Sequence, residues 1–244
     1  MENTLLIGLS RQMALQHEMD VVANNVANIN TAGFKSNSLL FNEYLMPEAK
    51  AEAGSQLSQP VSYVVDRSTL INFAAGTLEM TGAELDVAVQ GEAFFAVQTK
   101  NGERYTRAGS FALNAQGELV NKSGDQVLTD GGPISFKTQD GKITIAADGT
   151  IATDQGRRGR LKLVTLKPNE VKKEGDTLFS SKSQPQPDTD SRVVQGAVEK
   201  SNVQPVQEIS RMIEISRAYE SISQTIERTQ NLRQTAIERL AQVS

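Results

Sequence analysis

Cysteine is absent from the 244 residues, so disulfides, thiolate catalysis and cysteine-ligated metal are excluded. The absence leaves the compartment open. Tryptophan is also missing, and aromatic residues make up only 5% against a hydrophobic content of 38%. That composition implies a thin core, which suits an elongated shape better than a sphere. His17 is the single histidine. With no cysteine and no second histidine to join it, a surface or interface position is its default. The formal net charge of −4 is small and of the wrong sign for a nucleic-acid binder. No stretch approaches the roughly 18 apolar residues that a membrane span needs. A secretory signal is not expected either. Glu2 stands where positive charge belongs, the apolar run Leu5 to Leu9 is short and holds Gly8, and no small-residue cleavage site follows. Export by a route without a cleaved signal remains compatible with this start.

Catalytic patterns are missing as well. There is no P-loop, no GxGxxG and no HExxH. The carboxylates Asp86, Glu92, Asp125, Asp130 and Asp148 fall mostly at turns, where Asp is favoured for backbone reasons. Asp188-x-Asp190 faintly suggests calcium, but the loop glycine and distal Glu of an EF-hand are absent, and a solvated linker is the better reading. Arg157, Arg158 and Arg160 form a small basic cluster, read as a solvent-facing loop with a rim contact to an acidic neighbour as the alternative. No catalytic, cofactor-binding or metal-ligating residue is expected, and the chain is not read as an enzyme.

What is present lies first at the two ends. Leu15, Met19, Val22, Val26 and Ile29 fall at alternating steps of four and three, along one seam of a helix. The stepping weakens backwards through Gln12 and Gly8 to Leu5. Leu6, Leu9 and Met13 make a second apolar line. The helix is expected from about residue 4 to 30, roughly 40 Å long. Asn24, Asn25, Asn28 and Asn30 crowd its end, and Thr31-Ala32-Gly33 stops it. Two readings stand: a helix end with an Asn/Gly cap, or amides that meet a neighbouring chain. At the other end, residues 204–243 form one helix near 60 Å, with no internal Gly and Pro205 in the first turn. Met212, Ile215, Tyr219, Ile222, Ile226 and Thr229 keep the three-four steps, continuing towards Leu240. Val206, Ile209 and Ile213 form a second line.

Between the ends the period changes. Residues 36–80 show no clear period; an apolar cluster from Leu39 to Leu45 ends at Pro47, 48–60 reads as a flexible connection, and Val61 to Val65 as a strand. From Leu85 the pattern is period two, Leu85, Val87 and Val89 alternating with Asp86, Ala88 and Gln90. Phe94 to Gln98, Tyr105 to Arg107, Val127-Leu128, Ile134 to Phe136, Ile143 to Ile145 and Leu161 to Leu166 read as short strands between dense turn signals, with Asn101-Gly102 a strong hairpin turn. Residues 180–192, polar with two prolines, read as an extended return path.

The expected architecture is α+β, with N- and C-terminal helices paired as an antiparallel coiled coil and a central all-β domain of short antiparallel strands. The expected divisions are 1–35 for the first helix, 36–80 connecting, 81–180 central β, 181–202 return linker and 203–244 for the second helix. Helix pairing buries one line on each helix and leaves a second exposed, which implies self-assembly or stacking. The candidate subunit-interface residues are Leu15, Met19, Val22, Asn24, Asn25, Val26, Asn28, Ile29, Met212, Ile215, Tyr219, Ile222, Ile226 and Leu240.

Three separated motifs carry a resemblance. ANNVANINTAGFK (23–35) is similar to the N-terminal signature of flagellar rod and hook proteins. TGAELDVAVQGEAFFAVQ (81–98) and YTRAGSFALNAQGELV (105–120) resemble that family's central β motifs, and VEKSNVQPVQEISRMIEISRAYE (198–220) its C-terminal motif. Glu92-Ala93 departs from the family's Asp-Gly or Glu-Gly. The opening run LLIGLSRQMALQHEMDVVANN is most similar to proximal-rod members. The resemblance implies a structural subunit of the bacterial flagellar basal body. It would be exported unfolded through the flagellar type III apparatus, assembled in the periplasm as part of the torque-transmitting axial shaft, and partnered by other rod proteins, with no cofactor. A distal-rod or hook-type sibling is the alternative within the family, and a cytoplasmic coiled-coil adaptor or chaperone the alternative outside it.

Overall fold

The computed structural model describes residues 2–46 and 61–243. The chain divides into two units. The first combines Met1–Val26, Asn37–Leu70 and Gln204–Ser244; the second combines Ala27–Ser36 and Ile71–Val203.

The first unit is built on two helices, α1 (Glu2–Ala27) and α2 (Pro205–Val243). Their contacts run in opposite order. Gly8 lies against Ile226, Gln12 reaches Ser223, Glu18 pairs with Arg211 and Asn25 reaches Glu208. The helices therefore run antiparallel where they touch. The apolar steps explain why: on α1, Val22 is buried and Leu15, Met19 and Val26 are half-buried, and on α2, Ile215 is buried and Met212, Tyr219, Ile222 and Ile226 are half-buried. The second lines stay exposed, Leu6, Leu9 and Met13 on α1 and Val206, Ile209 and Ile213 on α2. Strands Asn37–Met46 and Val61–Ile71 pair in a two-stranded sheet, so the region expected to connect carries regular structure. The expected flexible stretch 48–60 lies outside the described residues, as does Pro47, and so do the side chains of residues 41–45.

α1 ends three residues earlier than its pattern suggested. Ile29 was expected on the seam but lies past the helix, in the second unit. The polar residues decide this. Thr31 N–H donates to the Asn28 carbonyl at 3.2 Å, and Thr31 Oγ1 bonds Asn28 Oδ1 at 3.0 Å, a local turn that competes with further helix.

The second unit is antiparallel β. Its main sheet has neighbours in the order Val171–Glu174, Leu178–Ser181, Gly102–Thr106, Phe94–Thr99, Gln126–Thr129, Leu119–Val120 and Ala112–Leu113. A three-stranded sheet joins Thr144–Ile145, Thr150–Thr153 and Gly156–Arg160. A hairpin forms here, but one residue earlier than the dipeptide predicts: Thr99 pairs with Gly102, so Lys100 and Asn101 make the turn and Gly102 opens the returning strand at φ 99°. Ile134 to Phe136 does not form a strand; Ser135 makes an isolated bridge to Glu118, and Ile134 and Phe136 pack into the core beside it.

Two expectations about this unit are corrected. Strict alternation fails in the central strands. Phe94, Phe95, Ala96 and Val97 are all buried, as are Val87, Ala88 and Val89. Successive side chains point to opposite faces, so strand Phe94–Thr99 feeds two cores. Phe95 and Val97 join one around Phe111, Ile151 and Leu161, and Phe94 and Ala96 join another around Tyr105, Leu166 and Phe179. The stretch read as a return linker is also knitted into the sheets. Gln186–Pro187 pairs with Leu163–Thr165, Arg192–Gln195 with Val87–Gln90, and Ala197–Glu199 with Leu78–Met80. Prolines at a sheet edge tolerate this because an edge residue can do without its N–H. Asp188 is engaged by its own chain. Its Oδ1 accepts the backbone N–H groups of Asp190 and Ser191, and its Oδ2 accepts Thr165 Oγ1.

Candidate functional site

The densest charge in the second unit is buried where three distant segments meet. Gly33 leads in with φ 69°, and its N–H donates to the Glu199 carbonyl at 2.7 Å. A Cβ here would lie 2.2 Å from Ala108 N, so only glycine allows the approach. Phe34 follows, fully buried, with Lys173 Nζ 3.7 Å from its ring centroid. Lys35 comes next and is also fully buried. Its Nζ donates to Glu199 Oε1 at 2.6 Å and to the Ala74 carbonyl at 2.8 Å.

Glu199 serves a second cation. Arg107 Nη1 lies 3.3 Å from Glu199 Oε2, and Nη2 donates to the Gly91 carbonyl at 2.6 Å. The guanidinium sits 4.8 Å from the Phe94 ring centroid. Gly76 N–H adds a 2.8 Å bond to Glu199 Oε1. Burial lowers the pKa of both Lys35 and Arg107, opposed mainly by Glu199, whose hydrogen bond and charge favour the cations. In a buried triad of this kind desolvation offsets much of the attraction, while removal of one member leaves a buried charge uncompensated. Asn202 completes the collar. Its Oδ1 accepts Ser36 N–H at 2.8 Å, and its Nδ2 donates to the carbonyls of Asn72 and Ala74.

The expected interface residues fall into three groups. Leu15, Met19, Val22, Val26, Met212, Ile215, Tyr219, Ile222 and Ile226 lie on the more buried sides of α1 and α2, while the side chain of Leu240 lies outside the described residues. Of the two readings of the amides, a helix-end cap or contacts with a neighbouring chain, Asn25 shows neither in this single chain but bonds within it. It is 1% exposed and satisfies its own polypeptide: Oδ1 accepts Asn37 N–H at 2.9 Å, and Nδ2 donates to the Asn37 carbonyl at 2.8 Å and to Glu208 at 3.2 Å. Asn28 takes the helix-end role. Asn24 is exposed on α1. In the basic cluster, Arg158 pairs with Asp140 at 2.7 Å and Arg160 donates to the Asp148 carbonyl, which ties the cluster to its own turns. Among the described residues, no group of three or more His, Asp or Glu side chains could hold a metal ion.

Lys35, Arg107 and Glu199 escaped the residue-by-residue reading. Their signal lay in the motifs, since each is a charged residue inside a quoted stretch. Position in a motif does not say that three such residues share one buried point.

The described polar centre joins three distant segments of one chain, the arrangement of a structural subunit, and family models fall on the same three segments. "Flagella basal body rod protein" matches residues 5–35, "Flagellar hook protein FlgE/F/G D1 domain" matches 88–153, and "Flagellar basal body rod FlgEFG protein C-terminal" matches 194–239. Lys35, Arg107 and Glu199 come one from each matched stretch. The chain is 43% identical to the flagellar basal-body rod protein FlgF of Caulobacter vibrioides over the full length of both. It is 34% identical to FlgF of Mesorhizobium japonicum, again over both full lengths, and 30% identical to FlgG of Bacillus subtilis over 93% of this chain and 94% of that one. The chain belongs to the flagellar basal-body rod family, most like its FlgF members, and is a structural subunit of the rod.

Proposed function

We propose that this subunit occupies the proximal rod and joins sister and neighbouring rod proteins through its terminal helices, as part of the axial shaft that transmits torque. In this reading the inner seams of α1 and α2 hold the chain's own helix pair as a coiled coil. The outer lines face other subunits. The exposure of Leu6, Leu9 and Met13 together with Val206, Ile209 and Ile213 carries the reading, because two apolar stripes left in water on one helix pair cost stability until something covers them. The subunit reaches the periplasm through the flagellar type III export apparatus, a route that its membership of the rod family supports. Proximal rather than distal placement is supported by the opening run and by full-length similarity to FlgF proteins.

Leu9→Asp and Ile213→Asp test the outer lines. Both variants are expected to leave the β unit folded by circular dichroism, to abolish swimming, and to be missing from isolated basal bodies. Normal incorporation of both would overturn the assembly reading. Antibody labelling of wild-type basal bodies tests the placement, and label confined to the distal end would overturn the proximal assignment.

A further inference from the structure

The inner seam of α1 is apolar at 15, 19, 22 and 26, but one and two turns earlier it presents Gln12 and Gly8. Both positions work against stability taken alone. Glycine inside a helix is costly relative to alanine, and a polar side chain on a seam gives up apolar burial. Both are matched on the facing helix. A Cβ added to Gly8 would lie 3.1 Å from Ile226 Cγ1 and 3.3 Å from its Cδ1, so Ile226 fills space that Gly8 leaves. Gln12 Nε2 donates to Ser223 Oγ at 3.1 Å.

We propose that these two contacts set the register of α1 against α2 at the end of the pair away from the Glu18–Arg211 and Asn25–Glu208 contacts. A slip of one turn one way would put Gln230 opposite Gly8 and Glu227 opposite Gln12. The other way it would put Ile222 and Tyr219 there, stranding the Gln12 amide against an aromatic ring. The knob-and-gap contact thus disfavours the first slip, which loses the isoleucine, and the polar pair disfavours the second, which loses the hydroxyl partner, as a polar seam residue does in a coiled coil, at some cost in stability. Register in turn decides where the outer apolar lines stand along the helix pair. That consequence rests on the assembly reading above; the register assignment does not.

The absence of cysteine makes a clean test possible. Full-length protein carrying Gln12→Cys and Ser223→Cys is treated with dibromobimane, which fluoresces once it has bridged two nearby thiols. The reporter removes the hydrogen bond and leaves the Gly8–Ile226 contact in place, with the Glu18–Arg211 and Asn25–Glu208 pairs further along the helices. Cross-linking is expected in the parent, lost with Gly8→Leu, and restored when Ile226→Ala is added. In the cysteine-free background, swimming is expected to follow the same order. A parent that does not cross-link, a Gly8→Leu chain that cross-links fully, or a swap that restores nothing while the β unit stays folded would each overturn the register assignment. Cross-linking that behaves as expected while every variant swims would support the register and overturn the assembly reading instead.

Discussion

Lys35 Nζ lies 2.6 Å from Glu199 Oε1, with the two side chains 0% and 1% exposed and 164 residues apart in sequence. Arg107, itself 3% exposed, leans on the other oxygen of the same carboxylate. Two buried cations therefore depend on one anion. Glu199→Gln keeps the shape and removes the charge, and is expected to destabilise the β unit by about 3–5 kcal/mol. Lys35→Met should cost less, because it leaves Glu199 paired with Arg107. Urea unfolding of the two variants measures the order, and a larger loss for Lys35→Met would contradict it.

Gly33→Ala tests the backbone at the same junction. Its φ of 69° disfavours a side chain, and the added Cβ would run into the Arg107–Ala108 peptide, which cannot move aside as a flexible side chain can. The strained conformation alone costs on the order of 1–3 kcal/mol, and the clash adds to it. A lowered melting temperature is expected; an unchanged one would show that the peptide yields.

Lys173 gives a pH dependence. Burial lowers its pKa to about 8, only partly opposed by Asp176. Between about 8 and the ordinary value of 10.5 the unfolded chain holds more protons than the folded one, so this group makes stability rise with pH across that window. Below about 8 the cost of burying the cation is present in full. Tyr105 acts oppositely above pH 10, because burial raises its pKa to about 12 and the folded state then holds the extra proton. The urea midpoint of wild type minus that of Lys173→Met is expected to rise from pH 8 to pH 10. A flat difference would exclude the assignment.

Asn25→Ala removes an amide that holds both backbone groups of Asn37. Leaving those groups without partners costs about 1–3 kcal/mol. Hydrogen exchange at the Asn37 amide is expected to quicken in the variant and to remain slow in wild type. Equal rates would mean that the bond does not persist in solution.

Much of the local structure was legible in the residues. The three-four steps located both helices, and the dense Gly, Asn and Asp signals located the β unit, because period and turn chemistry are properties of short windows. The helix end at Asn28 and Thr31 could be read only as two alternatives, since an amide near a helix terminus serves a cap or a neighbour equally well. The polar run 180–192 was misread for a related reason. Composition reports affinity for water, while pairing at a sheet edge depends on which strand lies beside it.

The amino-acid order by itself determined where the helices and turns form, which lines on each helix are apolar, and that no thiol or histidine cluster would supply chemistry. Only the tertiary structure decided that strand Phe94–Thr99 is covered on both faces, that Asn25 turns inward, and that Lys35, Arg107 and Glu199 share one dry point. The reason is distance along the chain. A pattern within a dozen residues is set by local geometry, whereas a carboxylate that must find two cations at separations of 92 and 164 residues is placed by the packing of everything between them.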